Sequence, residues 1–213
     1  MNFNDNLKYA EERMNEFRQQ SFVIKPGEGG IMFSAPHSVE QFREGKIKYS
    51  ERQTGILVEM LHKELGCPII KKTANYNDDA NYDPVCAYKD ALAKYVSDNK
   101  IHFLVDLHQL SPSRDVMVNL GTGEWKNLNN ITLLNIFMSS FSKHNLGIIQ
   151  VDEPFDGSYD HTVSSTIHRK CSIPCIQIEL NSRLVHQEYD EYSLEAVYKS
   201  LCECFYKLKE FYR

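Results

Sequence analysis

The chain has no apolar stretch long enough to cross a bilayer, no cluster of Lys and Arg, and no cysteines at the paired C-x2-C spacing of a structural zinc site. Each absence removes a class of protein. Without a basic stripe to offset phosphate charge, and with a formal net charge of −5, a nucleic-acid surface is not expected. Without a long apolar run, neither is a membrane span. The opening segment, MNFNDNLKYAEERMNEFRQQ, mixes both charge signs and has no apolar centre, so it reads as neither export signal nor anchor, and a cytoplasmic protein is expected. In that compartment Cys67, Cys86, Cys171, Cys175, Cys202 and Cys204 stay reduced and read as small core residues. The sequence also lacks a G-x-S-x-G elbow, a phosphate-binding loop and a G-x-G-x-x-G fingerprint, which takes away the main support for serine hydrolases, nucleotide hydrolases and dinucleotide enzymes.

What is present is ordinary in amount: 213 residues, 42% hydrophobic and 25% charged. That suits one globular domain over residues 1–213. Apolar residues at three- and four-residue steps predict helices over 5–20, 51–65, 85–99 and 126–144, and along the end of the chain from Leu194 to Tyr212. Ser50, with Gln53 three residues on, is the expected cap of the second of these, and Gly66 its end. Short apolar runs predict strands at 21–25, 30–35, 115–120 and 147–152, and in CPIIKKT, IHFLVDL and IPCIQIEL. A short helix is expected over 160–169, and ANYNDDANYDP reads as a structured polar loop. Strands and helices that alternate to the end imply an α/β fold: one three-layer domain, a mostly parallel mixed sheet with helices on both faces.

Three of these runs stop at a polar residue. His37 and Glu40 follow GIMFSAP, His108 follows IHFLVDL, and Glu179 lies within IPCIQIEL. If the runs are neighbouring parallel strands, their carboxyl ends gather these groups at the edge where α/β proteins bind ligands. A hydrolytic zinc ion takes three ligands from His, Asp or Glu and leaves a position for water. His37 and Glu40, in H-x-x-E spacing, would point the same way from a single turn, with His108 completing the set. The spacing alone more often marks a surface-loop histidine beside a solvated Glu40; the small residues Ser34, Ala35 and Pro36, which give an ion room, turn the reading toward a ligand. Alternation puts Leu104, Asp106 and His108 on one face, so Asp106 is a candidate partner for the second nitrogen of a ligand histidine. Glu179 at the end of a buried run is either salt-bridged to Arg183 or Arg169, or a poised proton carrier.

The order H-x-x-E, then a strand ending D-L-H, then a late I-Q-I-E-L resembles the N-formylglutamate amidohydrolase family, itself similar in fold to the zinc carboxypeptidases. The resemblance runs from GIMFSAPHSVE to CIQIELNSRL. It implies that His37, Glu40 and His108 hold zinc and that Glu179 is the catalytic base. The family's Asp-x-Asn-Arg stretch is matched only by DDANYDP, where Asn81 fits and Tyr82 stands in place of the Arg.

The expected activity is a metal-dependent hydrolase acting on the C–N bond of an N-acyl amino acid, with an N-formyl group one option. A carboxypeptidase-like or cell-wall peptide hydrolase is an alternative, and a non-catalytic binding domain another. Two neutral His and one Glu leave a divalent ion with net positive charge, so a small anionic substrate is expected. Arg114 and Arg183, each just past a strand end, are candidates for its carboxylate, and His161 and Asn81 for the pocket wall. Nothing in the sequence sets the oligomeric state.

Overall fold

A computed structural model describes residues 2–213. In chain order the elements are α1 (Phe3–Arg13), β1 (Phe22–Lys25), β2 (Ile31–Ala35), a hairpin of β3 (Gln41–Arg43) and β4 (Lys46–Lys48), α2 (Arg52–Leu65) and β5 (Ile69–Lys72). There follow α3 (Ala87–Asp98), β6 (Phe103–Leu110), β7 (Val118–Gly121), α4 (Ile131–Lys143), β8 (Ile149–Val151), α5 (Val163–Cys171), β9 (Cys175–Asn181), α6 (Ser182–Val185) and α7 (Leu194–Phe211). Seven strands form one mixed sheet in the order β1-β5-β2-β6-β9-β7-β8. The central four, β5, β2, β6 and β9, run parallel; β1 is antiparallel to β5, and β7, with its parallel neighbour β8, is antiparallel to β9. This is the three-layer α/β domain expected.

Period-two burial decides which side of the sheet each residue feeds. Ile31, Phe33, Phe103, Val105, Leu107, Ile176 and Ile178 join Leu57, Leu61, Phe137 and Leu201 in the larger core, under α2, α4 and α7. Met32, Ile70, Leu104 and Cys175 join Tyr88, Leu92 and Ile167 in the smaller core, under α3 and α5. Further along the strands this second face turns polar: Ser34, Asp106, His108, Gln177 and Glu179 are all buried there. From β2 the chain crosses through α2 to β5 on one side, then returns through α3 to β6 on the other. β2 and β6 therefore flank the point where strand order reverses, and the crevice beyond their carboxyl ends is the natural ligand site.

Several details differ from the sequence expectation. Helix α1 stops at Arg13 rather than near residue 20, because the chain turns through 14–20 with Phe17 at φ 62°. Helix α4 begins at Ile131, five residues late, because the Asn130 side chain accepts hydrogen bonds from the amides of Thr132 and Leu133. The residue before α2 is Glu51, not Ser50, and its side chain makes no capping bond. The β3–β4 hairpin was not anticipated; its two-residue turn, Glu44 and Gly45, has φ of 51° and 76°, the doubly left-handed geometry that suits tight hairpins. Gly66 closes α2 with φ 65°, as expected.

Candidate metal centre and cleft

The reversal point brings two histidines together. His37 lies two residues beyond β2 and His108 near the end of β6, and their Nδ1 atoms are 3.3 Å apart. The Glu51 carboxylate closes the group: Oε1 is 2.9 Å from His37 Nδ1 and Oε2 is 3.4 Å from His108 Nδ1. One donor atom from each of the three lies within 4.8 Å of the others. Glu51 is placed by its backbone, whose amide donates to His37 O at 2.7 Å, and by the Gln109 amide, which donates to Oε2 at 3.0 Å. A glutamate in front of a helix normally competes poorly as a cap; here the side chain is turned away from the helix and toward the imidazoles.

The far nitrogen of each ring is held by a buried carboxylate. Asp79 Oδ1 is 2.9 Å from His37 Nε2, and Asp106 Oδ2 is 3.1 Å from His108 Nε2. Asp79 is itself fixed by Arg43, whose Nε and Nη2 lie 2.9 Å and 2.7 Å from Oδ2. Burial disfavours an imidazolium at His37, yet Glu51 and Asp79 outweigh it and raise its pKa to about 9. His108 is likewise raised, with Asp106 and Glu51 overcoming burial. Glu51 moves down to about 2: burial opposes the charge, and His37 and His108 more than offset it.

These contacts test whether a cation belongs here. Four ring nitrogens face three carboxylates and one another, while two neutral imidazoles carry only one proton each. If both protons go to Asp79 and Asp106, two bare Nδ1 lone pairs and a carboxylate converge on one point, a repulsive arrangement without positive charge between them. Protonating both rings instead sets two N–H groups against each other at 3.3 Å. A divalent ion held by His37, His108 and Glu51 would resolve both conflicts, and two His with one carboxylate is a known zinc donor set. The residues fit a metal.

Glu179 is the register partner of His108 across β6 and β9. Its Oε1 accepts from Gln177 Nε2 at 2.9 Å. Burial, helped by Glu51 and opposed by His108, raises its pKa to about 7, near the value a proton carrier needs at neutral pH. It opens on a cleft of about 600 Å³ whose walls include Arg43, Asn81, Tyr82, Phe155, Tyr159 and His161. The loop carrying Phe155 and Asp156 crosses β7 at Gly121, where a Cβ would come within 2.8 Å of Asp156 O, so only glycine allows the approach. Buried Lys89 ties the opposite wall together, donating to Asp83 O at 2.6 Å and also to His161 O.

The structure thus brings His37, His108, Asp106 and Glu179 to one place, and Asn81 and His161 to the cleft beside them. Asn81 Oδ1 accepts from Val163 N at 2.7 Å, and His161 stacks on Tyr159 with centroids 5.5 Å apart. Glu40 is not with them. The residues after Pro36 form a turn and bend rather than a helical coil, so the three-residue spacing does not align the side chains; Glu40 is exposed in a separate groove with Arg18 and Arg52. Glu51 occupies the place expected for it. Arg183 is committed elsewhere, to Glu191 at 2.9 Å and to Arg114 O at 2.8 Å, and does not line the cleft. Arg114 is exposed, its guanidinium 5.1 Å from the ring of Phe155, and does not line the cleft. The cleft's guanidinium is Arg43, which also lies 4.7 Å over the ring of Tyr82.

Glu51, Asp79 and Arg43 were missed by sequence reasoning. Glu51 had one faint signal, a long acid at a helix start where a short capping side chain is usual. Asp79 lies in the polar loop noted above, and Arg43 in a hairpin signalled only by Glu44-Gly45 between two short runs.

No family model matches the chain, and no curated protein matches it. Solved structures do. N-formylglutamate amidohydrolase from Ralstonia eutropha aligns with a TM-score of 0.63 at 12% identity, over 90% of this chain and 98% of that one. A bacteriophage poly-gamma-glutamate hydrolase aligns at 0.52 and 14%, over 88% and 91%. A zinc-dependent exopeptidase, so described, from Bacteroides vulgatus aligns at 0.52 and 13%, over 87% and 71%. The chain shares the N-formylglutamate amidohydrolase and zinc-exopeptidase fold.

Proposed function

We propose that this protein is a metal-dependent amidohydrolase, with zinc the ion that best suits its donors, acting on an N-acyl amino acid or a similar small amide. The observation that carries the reading is the convergence of His37 Nδ1, His108 Nδ1 and Glu51 on one point, with Asp79 and Asp106 behind the rings. Solved proteins of this fold named for amide-bond hydrolysis support it.

When bound, a divalent ion supplies Lewis-acid polarisation of the scissile carbonyl and of the attacking water. The chain's own residues supply the rest. Asp79 and Asp106 fix ring orientation and keep both Nδ1 atoms free as ligands. Glu179 takes the proton as water adds to the carbonyl carbon, then gives it to the nitrogen as the C–N bond breaks, yielding a carboxylic acid and an amine. Gln177 holds one oxygen of Glu179, so the other faces the cleft. Arg43, in the wall beside His37, is placed to attract an anionic substrate and to stabilise the developing oxyanion.

Metal analysis of protein purified without chelators, with hydrolysis of N-formyl and N-acetyl amino acids, tests this. Roughly one equivalent of zinc is expected, and Glu179→Gln is expected to keep it while losing at least about a hundredfold in turnover, the scale of a positioned proton carrier. Less than about half an equivalent, with no gain on adding zinc, points instead to a binding domain.

A further inference from the structure

The metal-site residues do not sit at the end of the cleft. His37, Arg43, Glu51 and Gln109 line two hollows at once: the one of about 600 Å³ already described and a second of about 640 Å³, which His108 does not line. Each is within the roughly 300–1,000 Å³ of small-molecule sites. The second is walled by Lys48 and Tyr49 from the hairpin, Ser111 after β6, and Ser182, His186 and Tyr189 around α6. Glu179 lines only the first.

Resting on the hydrolase reading, this asymmetry orients the substrate. The group that protonates the leaving nitrogen must lie on the amine side, so the amine half occupies the hollow with Glu179. The acyl half then extends past Glu51 into the second hollow. A formyl group, one carbon and one oxygen, would leave that hollow empty. We propose that the substrate carries an extended polar acyl chain, of the kind a further amide-linked residue provides, and that the hairpin and α6 recognise it. The lining favours a polar chain over a fatty one. It carries the Lys48 ammonium, the Glu188 carboxylate, the Ser111 hydroxyl and the Gln109 amide, whose Nε2 lies 2.9 Å from His186 Nε2. Tyr49 is 93% exposed and Lys48 is also exposed, so the hairpin edge is open to a ligand without displacing core contacts.

The test is calorimetric binding to zinc-loaded Glu179→Gln protein, which separates recognition from turnover. The probes are N-formyl, N-acetyl, N-octanoyl and N-(acetyl-alanyl) derivatives of L-glutamate and of L-phenylalanine. The acetyl-alanyl compounds are expected to bind at least tenfold tighter than the formyl ones on one or both amino acids. Lys48→Ala with Tyr49→Ala is expected to remove most of that gain while formyl binding and zinc content stay unchanged. Equal binding of all acyl groups, no binding of any, a preference for octanoyl, or an equal loss across the series in the double variant overturns the proposal. If the acyl preference is present but wild-type protein hydrolyses none of the probes, the hydrolase reading fails and the extended acyl site stands.

Discussion

Two of the clusters of buried charge in this domain differ in one respect. Between α2, β1 and β5, Glu59 is fully buried with Lys25 Nζ 2.7 Å from Oε2 and Lys71 Nζ 3.0 Å from Oε1. Lys71 also donates to Arg13 O at 3.1 Å. Burial lowers the Lys71 pKa and Glu59 works to restore it, as in any desolvated pair. Every charge there has an opposite partner within the protein. At the end of β2 and β6 the histidines are also buried, but neutral rings leave two nitrogens facing each other without a proton, and fully protonated rings set two N–H groups against each other. Buried charge by itself does not mark a site; buried lone pairs aimed at a common point do.

Breaking each cluster should therefore differ in its dependence on zinc, with the largest loss of stability in the first. Glu59→Gln strands two ammonium groups in the interior and is expected to cost about 3–5 kcal/mol, the usual result of removing one partner of a buried pair. Denaturant unfolding measures it, and zinc stoichiometry should not change. In the second cluster, Glu51→Gln is expected to lower metal-free stability as well, because the Glu51 carboxylate is the counter-charge to His37 and His108, and in addition to abolish the gain from zinc. For the unaltered protein that gain is about 2.7 kcal/mol at a free zinc concentration one hundred times Kd. Glu40→Gln should keep the whole gain. A thermal shift on zinc addition that survives in Glu51→Gln and vanishes in Glu40→Gln would reverse the assignment of the carboxylate ligand.

Proton linkage separates the clusters further. In metal-free protein the pKa of His37 is raised from 6.5 to about 9, so its contribution is complete below the unfolded value and disappears as pH rises through about 9. Glu51 is lowered from 4.5 to about 2; its contribution is present above 4.5 and disappears as pH falls through about 2. With a chelator present, Tm should be highest between these limits and decline from about pH 6.5 to 9. With zinc bound to neutral rings the alkaline decline should shrink, and loading at pH 7.5 should release protons, measurable by calorimetry in buffers of different ionisation enthalpy. An alkaline limb that is the same with and without zinc would place the titration outside the metal centre.

What the sequence made legible follows from the same physics. β2, β6 and β9 announce themselves as apolar runs, and a His, Asp or Glu inside such a run is conspicuous because burial makes it costly. The face shared by Asp106 and His108, and by Gln177 and Glu179, is a period-two inference that the two cores confirm. Glu51 was hidden because a glutamate at a helix start is common on a solvated surface, and only the tertiary fold turns it toward His37. The β3–β4 hairpin was hidden because Phe42 and Ile47 are its sole large apolar residues, too few for alternation to register. Glu40 misled because the H-x-x-E argument assumed a helical turn, whereas Ser38 Oγ, donating to Ala35 O at 3.1 Å and Lys72 O at 2.6 Å, is part of a non-helical one. Sequence finds residues that burial makes expensive; it does not find those brought in from a surface loop.

A third cluster, at the surface, sets the lower end of the scale. Glu203 on α7 pairs with Lys143 at 2.9 Å and Lys207 at 2.8 Å, and His144 lies 3.3 Å away. The Lys143 and Lys207 ammonium groups lower its pKa to about 2 against mild burial, so its contribution is present above 4.5 and disappears as pH falls through about 2. Water screens it and long side chains must be ordered to form it, so Glu203→Gln is expected to cost no more than about 1 kcal/mol at pH 7. The loss should shrink in high salt, as the Glu59→Gln loss should not, because only the surface pair is exposed to counterions. Urea unfolding of both variants at low and high salt measures the contrast, and a salt-insensitive loss at Glu203 would show that proximity to α4 shields it as burial shields Glu59.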